Sequence, residues 1–250
     1  MIFAAGLGTR LKPLTDTTPK ALLPLAGKTL IEWQIGRLKA AGIHSMVINI
    51  HHFADQIKDY VHAHQSFGCD IRFSDESNQL LETGGGLLKA FHDGLLRTDE
   101  PTIVSNVDIL SNIDLKQYLR AWREDDMASV VVSDRETQRY MLFAGTGELR
   151  GWTNKATGEY KPSMVLKEQD LVPMAFSGMQ IVGEGMAEQL KLSAKVRGAK
   201  FGIVDAYLDI VARQSGIVRA YIPRYYRMMD VGKIEQLEQA EQFAQSLREE

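Results

Sequence analysis

Over its first half the chain alternates short apolar runs with longer stretches of helical period, and this alternation constrains the fold more than any other feature. Residues 1–5, Met-Ile-Phe-Ala-Ala, read as the inner part of a buried strand with little chain before it. Residues 29–41 set Leu30, Ile31, Ile35, Leu38 and Ala41 at helical spacing, and Gly42 follows as a closing glycine. The pattern continues with a strand over 46–50, a helix over 53–64, a strand over 70–74, a helix over 86–96, a strand over 102–105 and a helix over 115–123. Strands this short, joined by helices this long, predict a sheet covered on both faces. The expected class is α/β, a Rossmann-like mixed and mostly parallel sheet flanked by helices.

The second half changes style. Residues 129–133 and 140–144 read as adjacent strands, with Gly145 and Gly147 marking a turn. The polar stretch 154–170 reads as loop or small lobe. A strand over 174–182, helices over 186–192 and 201–213, and a strand over 218–222 come next. The Glu- and Gln-rich stretch 234–247 reads as a terminal helix with a solvated face. No solenoid-length repeat or low-complexity linker divides the chain. The expectation is one domain over 1–250, made of halves 1–125 and 126–250, the second with a small antiparallel lobe.

Composition narrows the class of partner. The formal charge is −3, so no basic footprint points to nucleic acid, and an anionic ligand must be held by local groups. Cys69 is the single cysteine, which excludes an intramolecular disulfide framework and a Cys-rich zinc site. A reducing, cytoplasmic setting is expected. No apolar run reaches the length of a membrane span, so no membrane partner is expected. Residues 1–5 carry no basic stretch ahead of their apolar run and do not read as a secretory leader.

The segment that carries chemistry is Ala4-Ala5-Gly6-Leu7-Gly8-Thr9-Arg10, continuing to Pro19-Lys20. A glycine-rich turn straight after a buried strand lets backbone N–H groups approach a phosphate. A dinucleotide fingerprint needs a third glycine at the position Leu11 occupies, and Gly27-Lys28-Thr29 lacks the glycine of a P-loop where Leu22 stands. What remains is a loop bearing Arg10 and Lys20, stiffened by Pro13 and Pro19. Arginine grips phosphate oxygens two at a time, and lysine supplies a compact charge.

The string Ala5, Gly6, Gly8, Thr9, Arg10, Leu11, Pro13, Leu14, Thr15, Pro19 and Lys20 resembles the signature of sugar-1-phosphate nucleotidylyltransferases. Leu81-Glu82-Thr83-Gly84-Gly85-Gly86 resembles that family's second, base-contacting loop. Asn106-Val107-Asp108 and Met229-Asp230-Val231-Gly232 resemble its two metal-carrying positions. With Ala175-Phe176-Ser177-Gly178 and the compact length, the chain is most similar to the N-acetylmuramate-1-phosphate uridylyltransferase branch.

The resemblance implies a nucleotide-diphospho-sugar transferase-like fold and a cytoplasmic enzyme of cell-wall recycling, monomer or homodimer. Its partners would be a nucleoside triphosphate (UTP favoured) and a sugar 1-phosphate (N-acetylmuramate 1-phosphate favoured). It assigns Arg10 and Lys20 to catalysis, and Ala5, Gly6, Gly8, Thr9, Glu82, Thr83 and Gly84 to the nucleotide. Asn106, Ser177, Gly178 and Lys155 go to the sugar, and Asp108 and Asp230 to Mg²⁺.

The chain departs from the family pattern at Val107, where glycine is usual. Its E-K-P segment is matched only in part, by Asn154-Lys155 and by Tyr160-Lys161-Pro162, which leaves both lysines open for the sugar phosphate. Taken singly, Asp230 reads equally as a helix cap and Thr83 as a helix-start residue. Other readings are transfer to another hexose or heptose 1-phosphate from GTP, CTP or dTTP, and a non-catalytic sensor of nucleotide sugars. A metal-dependent glycosyltransferase would carry a D-x-D motif, and none ends a strand here.

Overall fold

The computed structural model describes residues 1–163 and 170–248. In chain order come β1 (Ile2–Phe3), β2 (Pro24–Leu25), β3 (Lys28–Thr29), α1 (Leu30–Ala40), β4 (Ser45–Ile50), α2 (Ala54–Ala63) and β5 (Asp70–Asp75). There follow α3 (Glu82–His92), β6 (Thr102–Asn106), β7 (Ile109–Ser111), α4 (Leu115–Arg120), β8 (Asp126–Ser133), β9 (Arg139–Phe143), β10 (Leu149–Asn154) and β11 (Glu159–Lys161). The remaining elements are β12 (Val172–Val182), α5 (Met186–Arg197), α6 (Ile203–Arg213), β13 (Ile217–Tyr221), β14 (Met228–Asp230) and α7 (Leu237–Ser246). None of the described helices is long and apolar enough to cross a membrane.

The chain packs as two compact units, each built from separate segments. The first holds Met1–Leu80, Val104–Lys116 and Arg227–Glu250, and the second Leu81–Ile103 and Gln117–Tyr226. The expected cut between residues 125 and 126 does not coincide with these units. Strand pairing overrides chain order: β14, at the far end of the sequence, pairs with β7.

In the first unit β6, β1, β4 and β5 lie side by side, all parallel. Chain order runs from β1 outward through β4 to β5, then returns to lay β6 on the other side of β1. That reversal makes the carboxyl ends of β1 and β6 a topological switch point, where open α/β sheets bind ligands. Helix α1 starts where the sequence signals it. Thr29 Oγ1 accepts from Glu32 N, and Glu32 Oε2 accepts from Thr29 N at 2.6 Å, a reciprocal capping box. Its apolar stripe, Leu30, Ile31, Ile35 and Leu38, is buried as the spacing predicts. With Ile2, Ile48, Ile50 and Ile57 it forms the core, each side chain contributing about 1.5–3 kcal/mol by burial.

In the second unit the long strand β12 pairs antiparallel with β9 over Val172–Met174 and with β8 over Ala175–Val182. The strands over 129–133 and 140–144 thus share β12 as a partner, on successive stretches of it. Strand β13 pairs parallel with β8, while β9, β10 and β11 form the expected antiparallel lobe. Residues 164–169, within the stretch read as loop or small lobe, lie outside the described residues.

Candidate active site

The glycine-rich loop leaves β1 at the switch point. Gly8 has φ +64°, and a Cβ there would stand 2.8 Å from Thr15 Cγ2, so both conformation and space require glycine. Its carbonyl accepts from Leu11 N and from Thr15 Oγ1, each at 2.8 Å. These bonds fix a single turn of 3₁₀ helix, Thr9–Leu11, that buries Leu11 and turns Thr9 and Arg10 outward. Gly6 is exposed, with nothing within 4 Å of its missing Cβ. Ala5 is buried and its N–H donates to Asn49, so that amide is already used.

Pro19 leads into a second 3₁₀ turn, Lys20–Leu22, which buries Ala21 and holds Lys20 at 8% exposure. A buried ammonium is costly without a partner. Lys20 Nζ has one in the Asp108 carboxylate. Asp108 follows β6 in a turn that Gln34 holds from below, its Nε2 donating to Ile109 O at 2.5 Å.

Asp230 arrives from the other end of the chain. Strand β14 pairs antiparallel with β7, placing Asp230 opposite Ile109, and Val231 N donates to Asp108 O at 2.9 Å. Gly232 comes next, where a Cβ would lie 2.7 Å from Asp230 Oδ1 and 2.9 Å from Arg10 Nη2. The guanidinium and the carboxylate thus crowd one point that only glycine leaves open. Arg10, Lys20, Asp108 and Asp230 are brought together in the first unit, with Asn106 ending β6 opposite Phe3. Two carboxylates give hard oxygen donors for a divalent cation. No group of three or more His, Cys, Asp or Glu that could hold a metal occurs among the described residues.

The other expected site residues lie in the second unit. Helix α3 begins at Glu82, with φ +62°, rather than at Gly86, and stops at His92. Gly84 and Gly85 donate their N–H groups to Phe201 O at 2.9 and 3.1 Å. A Cβ on Gly84 would stand 2.6 Å from the Phe201 ring, and one on Gly85 would overlap Ala199 O. Thr83 Oγ1 accepts from Ile203 N at 2.9 Å, at the start of α6. The small residues of this loop thus fit it against residues 199–203, while the Glu82 side chain stays exposed.

Ser177 and Gly178 sit in the bulge where the β12–β8 register shifts between Phe176 and Gln180, and Gly178 takes φ +69°. Ser177 Oγ is buried without a hydrogen-bond partner among the described residues. The two lysines left open both lie over rings: Lys155 Nζ is 4.5 Å from the Tyr140 centroid and Lys161 Nζ 5.3 Å from that of Trp152.

Gln34, Asn49 and Glu76 support this site, and motif reading passes over them. The signal for two of them is in the sequence. Gln34 interrupts the apolar stripe of α1, and Asn49 stands in the otherwise apolar run Met46–Ile50, yet both are at most 3% exposed.

A parallel-sheet α/β unit with a glycine-rich loop and two carboxylates at its switch point is the frame of a nucleotide-handling transferase. Residues 1–143 match the family model described as nucleotidyl transferase, and the chain belongs to that family. It is 44% identical over 155 residues to the N-acetylmuramate alpha-1-phosphate uridylyltransferase of Caulobacter vibrioides, covering 60% of this chain and 62% of that one. It is 46% identical over 114 residues to the protein of that name from Neisseria meningitidis, covering 46% and 48%. The matches thus span about half to three fifths of these curated relatives. A solved structure of apo UDP-glucose pyrophosphorylase superposes with a TM-score of 0.77 at 21% identity, covering 99% of this chain and 98% of that chain, which is a likeness of fold.

Proposed function

We propose that the chain transfers a nucleotidyl group from a nucleoside triphosphate, UTP favoured, to a sugar 1-phosphate, N-acetylmuramate 1-phosphate favoured. The observation that carries this reading is the convergence of Arg10, Lys20, Asp108 and Asp230 at the carboxyl ends of β1 and β6. Relatives named N-acetylmuramate alpha-1-phosphate uridylyltransferase, at 44% and 46% identity, support the choice of substrates.

An oxygen of the sugar phosphate attacks the α-phosphorus, the bond to the β-phosphate oxygen breaks, and pyrophosphate leaves with the electron pair. Repulsion between anions is the obstacle, and fixed positive charge in a partly dry site lowers it. Arg10, turned outward on its 3₁₀ turn, would grip the departing pyrophosphate. Lys20 would answer charge near the reacting phosphorus, using an ammonium already held in place by Asp108. The amides from Gly6 to Thr9 offer donors to phosphate oxygens. Asp108 and Asp230 would hold Mg²⁺, which when bound neutralises phosphate charge. The resemblance assigns Asn106, Ser177, Gly178 and Lys155 to the sugar and Glu82, Thr83 and Gly84 to the nucleotide. A cytoplasmic monomer or homodimer completes the reading.

The test is pyrophosphate release from the purified chain with UTP, CTP, GTP and dTTP against a panel of sugar 1-phosphates. The highest kcat/KM is expected with UTP and N-acetylmuramate 1-phosphate, and only with Mg²⁺ present. No turnover with any pair would overturn the reading.

A further inference from the structure

The first two amides of the glycine-rich loop are not offered to a ligand. Ala4 N and Ala5 N both donate to one atom, Asn49 Oδ1, at 2.6 and 3.3 Å. Strand β1 ends at Phe3, whose register partner in β4 is Asn49 itself. The side chain of Asn49 thus receives the backbone where it leaves the ladder, and the next amides, from Gly6 onward, are the first ones free to meet phosphate.

A carboxamide serves here in one orientation only, since turning it over would set its NH₂ group against two N–H donors. Glu76 fixes that orientation: Asn49 Nδ2 donates to Glu76 Oε1 at 2.8 Å. Asn49 is 3% exposed and Glu76 2%, so water cannot substitute. The backbone of Glu76 is held in turn, its N–H on Ile50 O at 2.8 Å and its carbonyl 2.7 Å from His51 Nδ1. Glu76 Oε1 is the acceptor in that bond, so the polarity of the chain Glu76–Asn49–loop is set from its buried end.

We propose that Asn49, oriented by Glu76, is a positioning residue for nucleotidyl transfer: it fixes where the loop departs from the sheet and so aims the Gly6–Thr9 amides and Arg10. The inference rests on the transferase reading above and deepens it. A misplacement of about 1 Å at such a loop costs on the order of 10²-fold in rate.

The test is a swap. Asn49→Asp sets a second carboxylate against Glu76, while Glu76→Gln keeps an acceptor for Asn49. The double variant N49D/E76Q keeps the wild-type charge and reverses the donor within the pair: the new amide donates to the new carboxylate, which still accepts both loop amides. Steady-state kinetics with UTP, at saturating sugar 1-phosphate, and thermal melting are measured for all three and for wild type.

N49D is expected to lose about 10²-fold in kcat/KM for UTP, and N49D/E76Q to recover at least about tenfold of it. A purely structural asparagine would move the melting temperature and leave kcat/KM of the folded protein alone. Wild-type kcat/KM in folded N49D, or a folded swap no better than N49D, overturns the inference. If N49D does not fold, the swap is judged against wild type: kcat/KM within about tenfold supports the inference, and a loss near 10²-fold overturns it. A wild type that turns over no substrate pair overturns the parent reading and this inference with it, an outcome distinct from the others.

Discussion

Arg10 is exposed on a turn whose carbonyl anchor, Gly8, is fixed by Thr15, so its guanidinium starts from a rigid base. A planar fork meets two phosphate oxygens at once, and an ammonium cannot. Arg10→Lys is therefore expected not to rescue what Arg10→Ala loses. Both should fall on the order of 10²-fold in kcat, the cost of removing one positioned transition-state donor. Steady-state kinetics with a melting control decide it, and near-wild-type kcat/KM in Arg10→Lys would mean that charge alone matters.

The carboxylates make a second prediction at this scale. Asp108→Asn and Asp230→Asn each remove a charge with almost no change of volume. Each should abolish metal-supported turnover and weaken Mn²⁺ binding, followed by titration calorimetry. Asp108→Asn should also melt lower, because it takes the carboxylate from the buried Lys20 ammonium. Normal Mn²⁺ affinity in either variant would remove that residue from the metal site.

Arg10, Lys20, Asp108 and Asp230 stand out in the sequence because they sit in specific motifs, and the structure brings the four together. Gln34, Asn49 and Glu76 belong to no motif: Gln34 and Asn49 hold backbone groups of distant segments, and Glu76 meets the Asn49 side chain.

Among the elements, α1 was legible almost to the residue from its apolar stripe and closing Gly42, and in the structure the Thr29–Glu32 capping box fixes its start. Helix α3 was misplaced at its start. Three consecutive glycines are poor helix formers, and only the contact with residues 199–201 makes them helical. That contact predicts opposite outcomes for one substitution at two helical sites. Gly85→Ala gains about 1 kcal/mol of helix propensity, but its Cβ overlaps Ala199 O, and overpacking costs about 1–3 kcal/mol. The clash should win and lower the melting temperature. Gly36→Ala in α1 meets nothing within 4 Å and should raise stability by about 0.5–1 kcal/mol. Calorimetric melting of both variants reads the pair. A Gly85→Ala variant as stable as wild type would show that residues 199–201 yield to the helix.

At the scale of the molecule, alternation in the sequence revealed an α/β chain but not which segments share a unit. Nothing in the spacing of Asp108 and Asp230 says that β7 and β14 pair, because the pairing is set by long-range packing. The returning segment is seated in the first unit by α7, where Ala240 and Ala244 are fully buried and Glu241 Oε2 accepts from Ala26 N at 2.7 Å. Ala26 and Gly27 form the two-residue turn between β2 and β3, with φ +48° and +71°. The Glu241 bond thus steadies a left-handed alanine and ties the end of the chain to its beginning. Glu241→Ala should cost about 1.5–3 kcal/mol, the worth of a hydrogen bond to a charged group. For a chain of this size that is a fall of roughly 3–12 °C in melting temperature. Because Glu241 contacts the Ala26 amide and none of the four converging charged residues, kcat measured well below the melting transition should stay at the wild-type value. A melting temperature unchanged in Glu241→Ala would show that α7 is seated by its alanines alone. A lowered kcat in the folded variant would show instead that the seat of α7 also sets Asp230.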